Sequence, residues 1–186
     1  MKHPLASILA IGGVAITVAI AAKGGQSGLT GKQAPTIAGA TVQGKNFSST
    51  TARAKGPVLV YFISTTCSVT DFAAKYMERT RAAFANTKLT VIGVTNANKS
   101  ESQKWLESHK IKFDAIPDTA YKIINAFSVN SAPTAFLISK SGIVLKAWDG
   151  YSAGFLIEAA KMASLQLGIK APVIDFTGAP KDVQAG

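Results

Sequence analysis

Val58 to Ser64 (VLVYFIS) is an unbroken run of β-branched, aliphatic and aromatic residues, and Leu89 to Thr95 (LTVIGVT) is a second. Such runs suit strands buried on both faces of a sheet. Between them, Ser68 to Asn86 places Val69, Phe72, Ala73, Tyr76, Thr80, Ala83 and Phe84 on one stripe of a helical period. Lys75, Glu78, Arg79 and Arg81 fall mostly outside that stripe. A strand, a helix and a strand joined by short links form a βαβ unit, which crosses over right-handed into a parallel pair. This unit commits the chain to an α/β fold.

The flanks fill in around it. Ser100 opens a second helix, with Ser100 and Gln103 at capping-box spacing, Trp105 and Leu106 as its apolar contacts, and His109 and Lys110 at its end. Phe113–Ile116 reads as a short strand and Thr119–Phe127 as a third helix. Thr134–Ser139 and Ile143–Trp148 form a hairpin turned through Ser141-Gly142. Trp148-Asp149-Gly150-Tyr151 makes a turn, and Ala153–Leu167 is a closing helix stopped by Gly168. Upstream, Thr36-Ile37 and Thr41-Val42 are strand candidates, and Gly56-Pro57 punctuates before the first long strand. The tail from Lys170 adds a short extended segment with a loose end.

The formal net charge of +10 is unevenly spread. Residues 1–55 carry six Lys or Arg and no acid; the remainder has fourteen basic against ten acidic side chains. A nucleic-acid-binding protein clusters its bases on the folded body beside aromatics or a readout helix, so that class is excluded. The basic start Met1-Lys2-His3 is followed by eighteen uncharged residues, Leu5 to Ala22, just enough to span a bilayer. Ala19-Ile20-Ala21 offers a signal-peptidase pattern. Residues 1–22 are thus expected to be a signal peptide or membrane anchor, 23–31 a flexible linker, 32–168 the folded domain and 169–186 a tail. The domain is expected in the periplasm or outside the cell, touching the membrane only through residues 5–22 if they are retained.

Cys67 is the only cysteine, so an internal disulfide and C-x-x-C metal knuckles are both excluded. It stands where the first long strand gives way to the helix. Helix N-terminal amides and the helix dipole favour a thiolate there, and the thiolate is the nucleophile. Pro133 opens the strand after Val129-Asn130-Ser131-Ala132. No Ser/His/Asp grouping, metal cluster or phosphate loop appears in the sequence, and no cofactor is called for. Asp71 reads as a first-turn helix carboxylate and His109 as a helix end.

Cys67 at a strand-to-helix junction, Pro133 at a strand start and the order βαβ, helical link, hairpin, helix together resemble the redoxin branch of the thioredoxin-like superfamily. The resemblance covers roughly residues 31–168. It is carried by GKQAPTIAGATVQGK, PVLVYFISTTCSVTDF, LTVIGVTN and SAPTAFLISKSGIVLKAWDGY. It implies a thioredoxin-like fold, a central mixed sheet with flanking helices and an N-terminal extension. It also implies a cis bond between Ala132 and Pro133, packed against the active-site sulfur, and protein or small-molecule thiols and disulfides as partners. The branch includes thiol–disulfide interchange proteins anchored in the bacterial periplasm and borders on the peroxiredoxins.

Two departures qualify what the site can do. The interchange proteins carry W-C-x-x-C, whereas here Thr66 precedes Cys67 and Thr70 replaces the second cysteine. A second thiolate resolves the mixed disulfide from within; without it an external reductant must do so. Peroxiredoxins carry Pro-x-x-x-Thr/Ser-x-x-Cys. Ser64 matches the hydroxyl, but Val60 stands in place of the proline, and Arg53, Arg79 and Arg81 all lie in the first half of the chain. The expected site is therefore Cys67, Thr70 and Pro133, supported by Ser64, Thr65, Thr66 and Ala132. Thr70, Thr66 and the backbone N–H groups near Ser68 and Val69 are candidate donors to the thiolate. Three functions fit: a monothiol exchange protein, a single-cysteine peroxidase, or a binding or chaperone-like module that keeps the fold without the chemistry.

Overall fold

The computed structural model describes residues 28–186, so the expected leader (residues 1–22) and residues 23–27 of the expected linker lie outside it. Among the described residues no helix is long and apolar enough to cross a membrane. A two-stranded antiparallel sheet, β1 (Ala38–Ala40) and β2 (Asn46–Ser48), leads into helix α1 (Ser49–Lys55). The main sheet then builds from β3 (Val58–Ile63), β4 (Thr90–Thr95), β5 (Ala115–Pro117), β6 (Thr134–Ile138) and β7 (Val144–Asp149). Its spatial order is β5-β4-β3-β6-β7, with β3, β4 and β5 parallel and β6 and β7 antiparallel to their neighbours. Helices α2 (Ser68–Ala83), α3 (Lys99–Ser108), α4 (Lys122–Ala126) and α5 (Ala153–Leu167) complete the chain. This is the thioredoxin-like mixed sheet with flanking helices that the sequence implies.

Every residue of β3 is buried. Alternation along the strand sends its side chains to two separate cores. Leu59, Tyr61 and Ile63 face a layer formed by α2 (Ala73, Tyr76, Met77), α3 (Trp105, Leu106) and α5 (Leu156, Ala160). Val58, Val60 and Phe62 face Ala52 of α1, Ile123 and Ile124 of α4, and Phe127. There the rings of Phe62, Phe127 and Phe136 close a triangle with centroids 5.0–5.6 Å apart. Full burial of each such side chain contributes about 1.5–3 kcal/mol, so β3 is the spine on which both cores depend.

Several boundaries differ from the sequence expectation. Helix α3 begins one residue before Ser100, and its capping box is Asn98 with Glu101: the Asn98 side chain accepts from Glu101 N–H at 3.0 Å, and Glu101 accepts from Asn98 N–H at 3.2 Å. Ser102 is instead drawn inward, its hydroxyl 2.6 Å from Thr95 Oγ1. Helix α4 is shorter than the expected Thr119–Phe127, because the buried Asp118 carboxylate collects the N–H groups of Lys122, Ile123 and Ile124 at 2.8–3.0 Å. The first small strand covers Ala38–Ala40 and not Thr36-Ile37 or Thr41-Val42, and α1 arises from Ser49–Lys55, a stretch without an apolar stripe. Leu29 packs against the second core, and the Gly31 N–H donates to Val144 O at 2.8 Å.

Candidate active site around Cys67

The parallel strands β3 and β4 end side by side, and the loops leaving them are joined through the Asn96 side chain. Cys67 is the N-cap of α2, with extended backbone angles and a half-buried side chain. Its carbonyl accepts the Asp71 N–H at 3.2 Å, opening the helix, while its side chain makes no capping bond. The sulfur is therefore left over at the positive end of a sixteen-residue helix.

The loop Ser64–Thr66 that delivers the cysteine is tied down by a residue the sequence reading missed. Asn96, just past β4, donates from Nδ2 to Ser64 Oγ at 3.3 Å and accepts the Thr65 N–H at Oδ1 at 3.2 Å. The Asn96 N–H also donates to Ile63 O at 3.3 Å. Its position at the carboxyl end of a strand parallel to β3 was the available signal, since such strand ends converge on one site. Thr66 is exposed, with its hydroxyl 3.4 Å from Ser64 Oγ.

Across the sulfur lies the start of β6. The Ala132–Pro133 peptide bond is cis. Cys67 Sγ lies 3.7 Å from the Ala132 carbonyl oxygen, to which the thiol donates. Pro133 O accepts the Gly150 N–H at 2.7 Å, carrying the β6–β7 ladder one step beyond the named strands. The structure thus brings Cys67 to the Ala132 carbonyl, next in the chain to Pro133, with Ser64 and Thr65 in the loop that leads to the cysteine. Thr70 is fully buried on the first turn of α2, and its Oγ1 has no hydrogen-bond partner. The expected bond from Thr70 to the sulfur is not made in this structure.

Beside the site, Asp71 accepts from the Trp105 indole N–H at 2.8 Å and lies 3.3 Å from His109 Nε2. The Trp105 and His109 rings stack at 4.4 Å, and His109 Nδ1 lies 2.9 Å from Trp105 O at the close of α3. These three side chains lock the first turn of α2 to α3, so Asp71 is a structural carboxylate. Asp149, opposite Thr134 in the ladder, is held above the ordinary carboxyl range by burial. Burial likewise raises the Tyr151 hydroxyl, with Tyr76 adding to the effect. Among the described residues no group of three or more His, Cys, Asp or Glu side chains is placed to hold a metal ion.

The tail is not loose. Ile174, Phe176 and Ala179 pack against the first core, Arg79 Nη1 holds Asp175 at O (2.7 Å) and Oδ2 (3.1 Å), and Tyr76 donates its hydroxyl to Thr177 O at 3.2 Å. Beyond Pro180, Gln184 exchanges both backbone hydrogen bonds with Tyr151, and Gly186 exchanges both with Ala132. Gly150, with φ +87, lies under this crossing, where a side chain would meet Gln184 O. A cleft of about 220 Å³ opens beside the crossing, lined by Ser64, Asn96, Tyr121, Asn130, Ala132 and Gly186 among others.

Known proteins share sequence and fold with this chain. Residues 30–147 match the AhpC/TSA family. The chain belongs to that family. Among curated relatives, the thiol-disulfide oxidoreductase ResA of Bacillus cereus is 28% identical over 118 residues, 62% of this chain and 67% of that one. Among solved structures, the thioredoxin domain of a thiol-disulfide oxidoreductase from Bacteroides vulgatus aligns with a TM-score of 0.64 at 22% identity, over 72% of this chain and 97% of that one. A thioredoxin-family thiol:disulfide interchange protein from Chlorobium tepidum aligns with a TM-score of 0.63 at 24% identity, over 73% and 96% respectively. The two structures share the thioredoxin-like fold with this member of the family.

Proposed function

We propose that this chain is an oxidoreductase of thiol–disulfide exchange that works through a single nucleophile, Cys67. The observation that carries the reading is the sulfur at the α2 N-cap, uncommitted to capping and facing the Ala132 carbonyl. The names of the curated relatives support the same chemistry. The Cys67 thiolate attacks one sulfur of a partner disulfide; a new S–S bond forms, the old one breaks, and the second partner sulfur leaves as a thiolate. With Thr70 in place of a resolving cysteine, an external thiol attacks the mixed disulfide, reforms S–S bonding with the partner sulfur and releases Cys67 reduced. Thr70 is the group one turn along whose uncommitted hydroxyl can turn to the thiolate when it forms. Thr66, Thr65 and Ser64 shape the loop, and Ala132 and Pro133 form the opposite wall.

A peroxidase of this family would need an arginine at the sulfur. All three arginines are engaged elsewhere: Arg53 with Ser49 O, Arg79 with Asp175 and Arg81 with Glu78. That reading is not favoured. The uncharged stretch Leu5–Ala22 supports action outside the cytoplasm, with the leader serving as signal or anchor.

The test is turnover. The folded chain should accelerate reduction of a disulfide-bonded peptide by glutathione, and the Cys67→Ser protein should not. A rate no higher than that of Cys67→Ser overturns the reading and leaves a binding module.

A further inference from the structure

We propose that residues 181–186 are a strap that closes over Cys67 and must lift before a partner disulfide can enter. The inference rests on the exchange reading above and adds to it a means of regulation. An extended peptide recruited to this site would lie along the open start of β6, and main-chain hydrogen bonds would hold it there. Next to the sulfur, those bonds would go to the Ala132 N–H and C=O. Both are already taken: Ala132 N–H donates to Gly186 O at 2.8 Å, and Gly186 N–H donates to Ala132 O at 3.0 Å. The chain has placed its own segment where a partner would pair.

Two further observations fit a cover. A Cβ built on Gly186 would lie 2.8 Å from Cys67 Sγ and 3.4 Å from Val69 Cγ2, so the strap passes the sulfur at a distance only glycine permits. The hold on the tail is also divided. Residues 174–180 are anchored by apolar packing, an ion pair and the Tyr76 hydroxyl. Residues 181–186 are all exposed, and the two backbone pairs to Tyr151 and Ala132 are what seat them. A segment with little apolar burial opens at low free-energy cost while its anchor stays in place. Opening frees Ala132 and Cys67 together.

The experiment measures the rate at which Cys67 is alkylated by iodoacetamide in the full chain and in a chain stopped after Pro180, with circular dichroism confirming that both are folded. A minor open state populated at roughly 0.1–10% predicts that removing the strap speeds the reaction about ten-fold or more. Equal rates overturn the strap. Should the shortened chain not fold, Gly186→Ala in the full chain replaces it, with a faster reaction expected because the added methyl must lift the strap; an unchanged rate overturns the proposal. Glutathione-dependent peptide reduction, measured in the same proteins, separates the two readings. If neither the full nor the strap-free chain exceeds Cys67→Ser in turnover, the exchange reading fails, while the alkylation ratio still decides the strap.

Discussion

Cys67 and Gly186 share one acceptor: the Ala132 carbonyl oxygen takes the thiol at 3.7 Å and the Gly186 N–H at 3.0 Å. The thiol and the chain's own tail thus converge on a single backbone group at the mouth of β6. The sulfur and the pairing at the strand end meet at that carbonyl.

Cys67→Ser keeps the fold and removes the reaction. The sulfur is half-buried and caps nothing, so its replacement should cost at most about 1 kcal/mol, a fall in Tm of about 2–4 °C for a chain of this size. Thermal melts should show that small shift, while mass spectrometry after exposure to glutathione disulfide shows no adduct.

Asn96→Ala should loosen the loop that carries the cysteine. Its side chain makes two hydrogen bonds, to Ser64 Oγ and from the Thr65 N–H, and each contributes about 0.5–1.5 kcal/mol. A Tm loss of several degrees with slower exchange is expected. Unchanged exchange despite the lower Tm would mean that the loop does not position the sulfur.

How legible these residues were in the sequence depends on which atoms do the work. The β3–α2–β4 unit was plain, because burial on both faces of a strand demands an unbroken apolar run and one stripe of α2 must be apolar. Cys67 and Pro133 were legible as residues at the boundaries of such elements, and their pairing at one site came only from the resemblance. Helix α1 was not: STTARAK buries only Ser49 and Ala52, and it is held by the Ile37 N–H donating to Ser49 Oγ at 3.0 Å, a contact twelve residues away. The capping box of α3 lies two residues before the Ser100–Gln103 spacing, because Asn98 and Ser100 are equally good caps in isolation. Asn96 was legible only as a polar residue at the carboxyl end of a strand parallel to β3, and the docking of Gly186 left no trace, since it works through its backbone.

Thr70→Val should stabilise the protein and slow it. The Thr70 hydroxyl is fully buried without a partner, and removing such a group while keeping its shape gains about 1 kcal/mol. If Thr70 also donates to the thiolate, alkylation of Cys67 slows in the valine protein and recovers in Thr70→Ser. Valine and wild type reacting at the same rate would make Thr70 a space-filler.

Asp149→Asn should flatten the dependence of stability on pH. Burial raises the folded-state value of this carboxyl above the ordinary 3.8. A group raised in this way contributes stability that is fully present below the unfolded value and lost as pH rises through the folded one. The wild-type Tm should therefore fall as pH climbs from about 3.8 through the raised value, relative to Asp149→Asn, and the two should differ most at neutral pH. Because the side chain is partly exposed, the gain in Tm at neutral pH should be small; parallel profiles for the two proteins would rule the effect out.

The anchor of the tail has a kinetic meaning. Arg79 and Tyr76, which hold residues 175–177, belong to the helix that Cys67 begins. Residues 181–186 are therefore a tethered ligand at a millimolar-range effective concentration, and a free peptide at micromolar levels loses the contest for Ala132. A visitor that merely touches the groove is displaced at once, whereas one that exchanges its sulfur with Cys67 is held by a covalent bond that no competing strand can break. The site would then select partners by whether they react, with little weight on how well they fit.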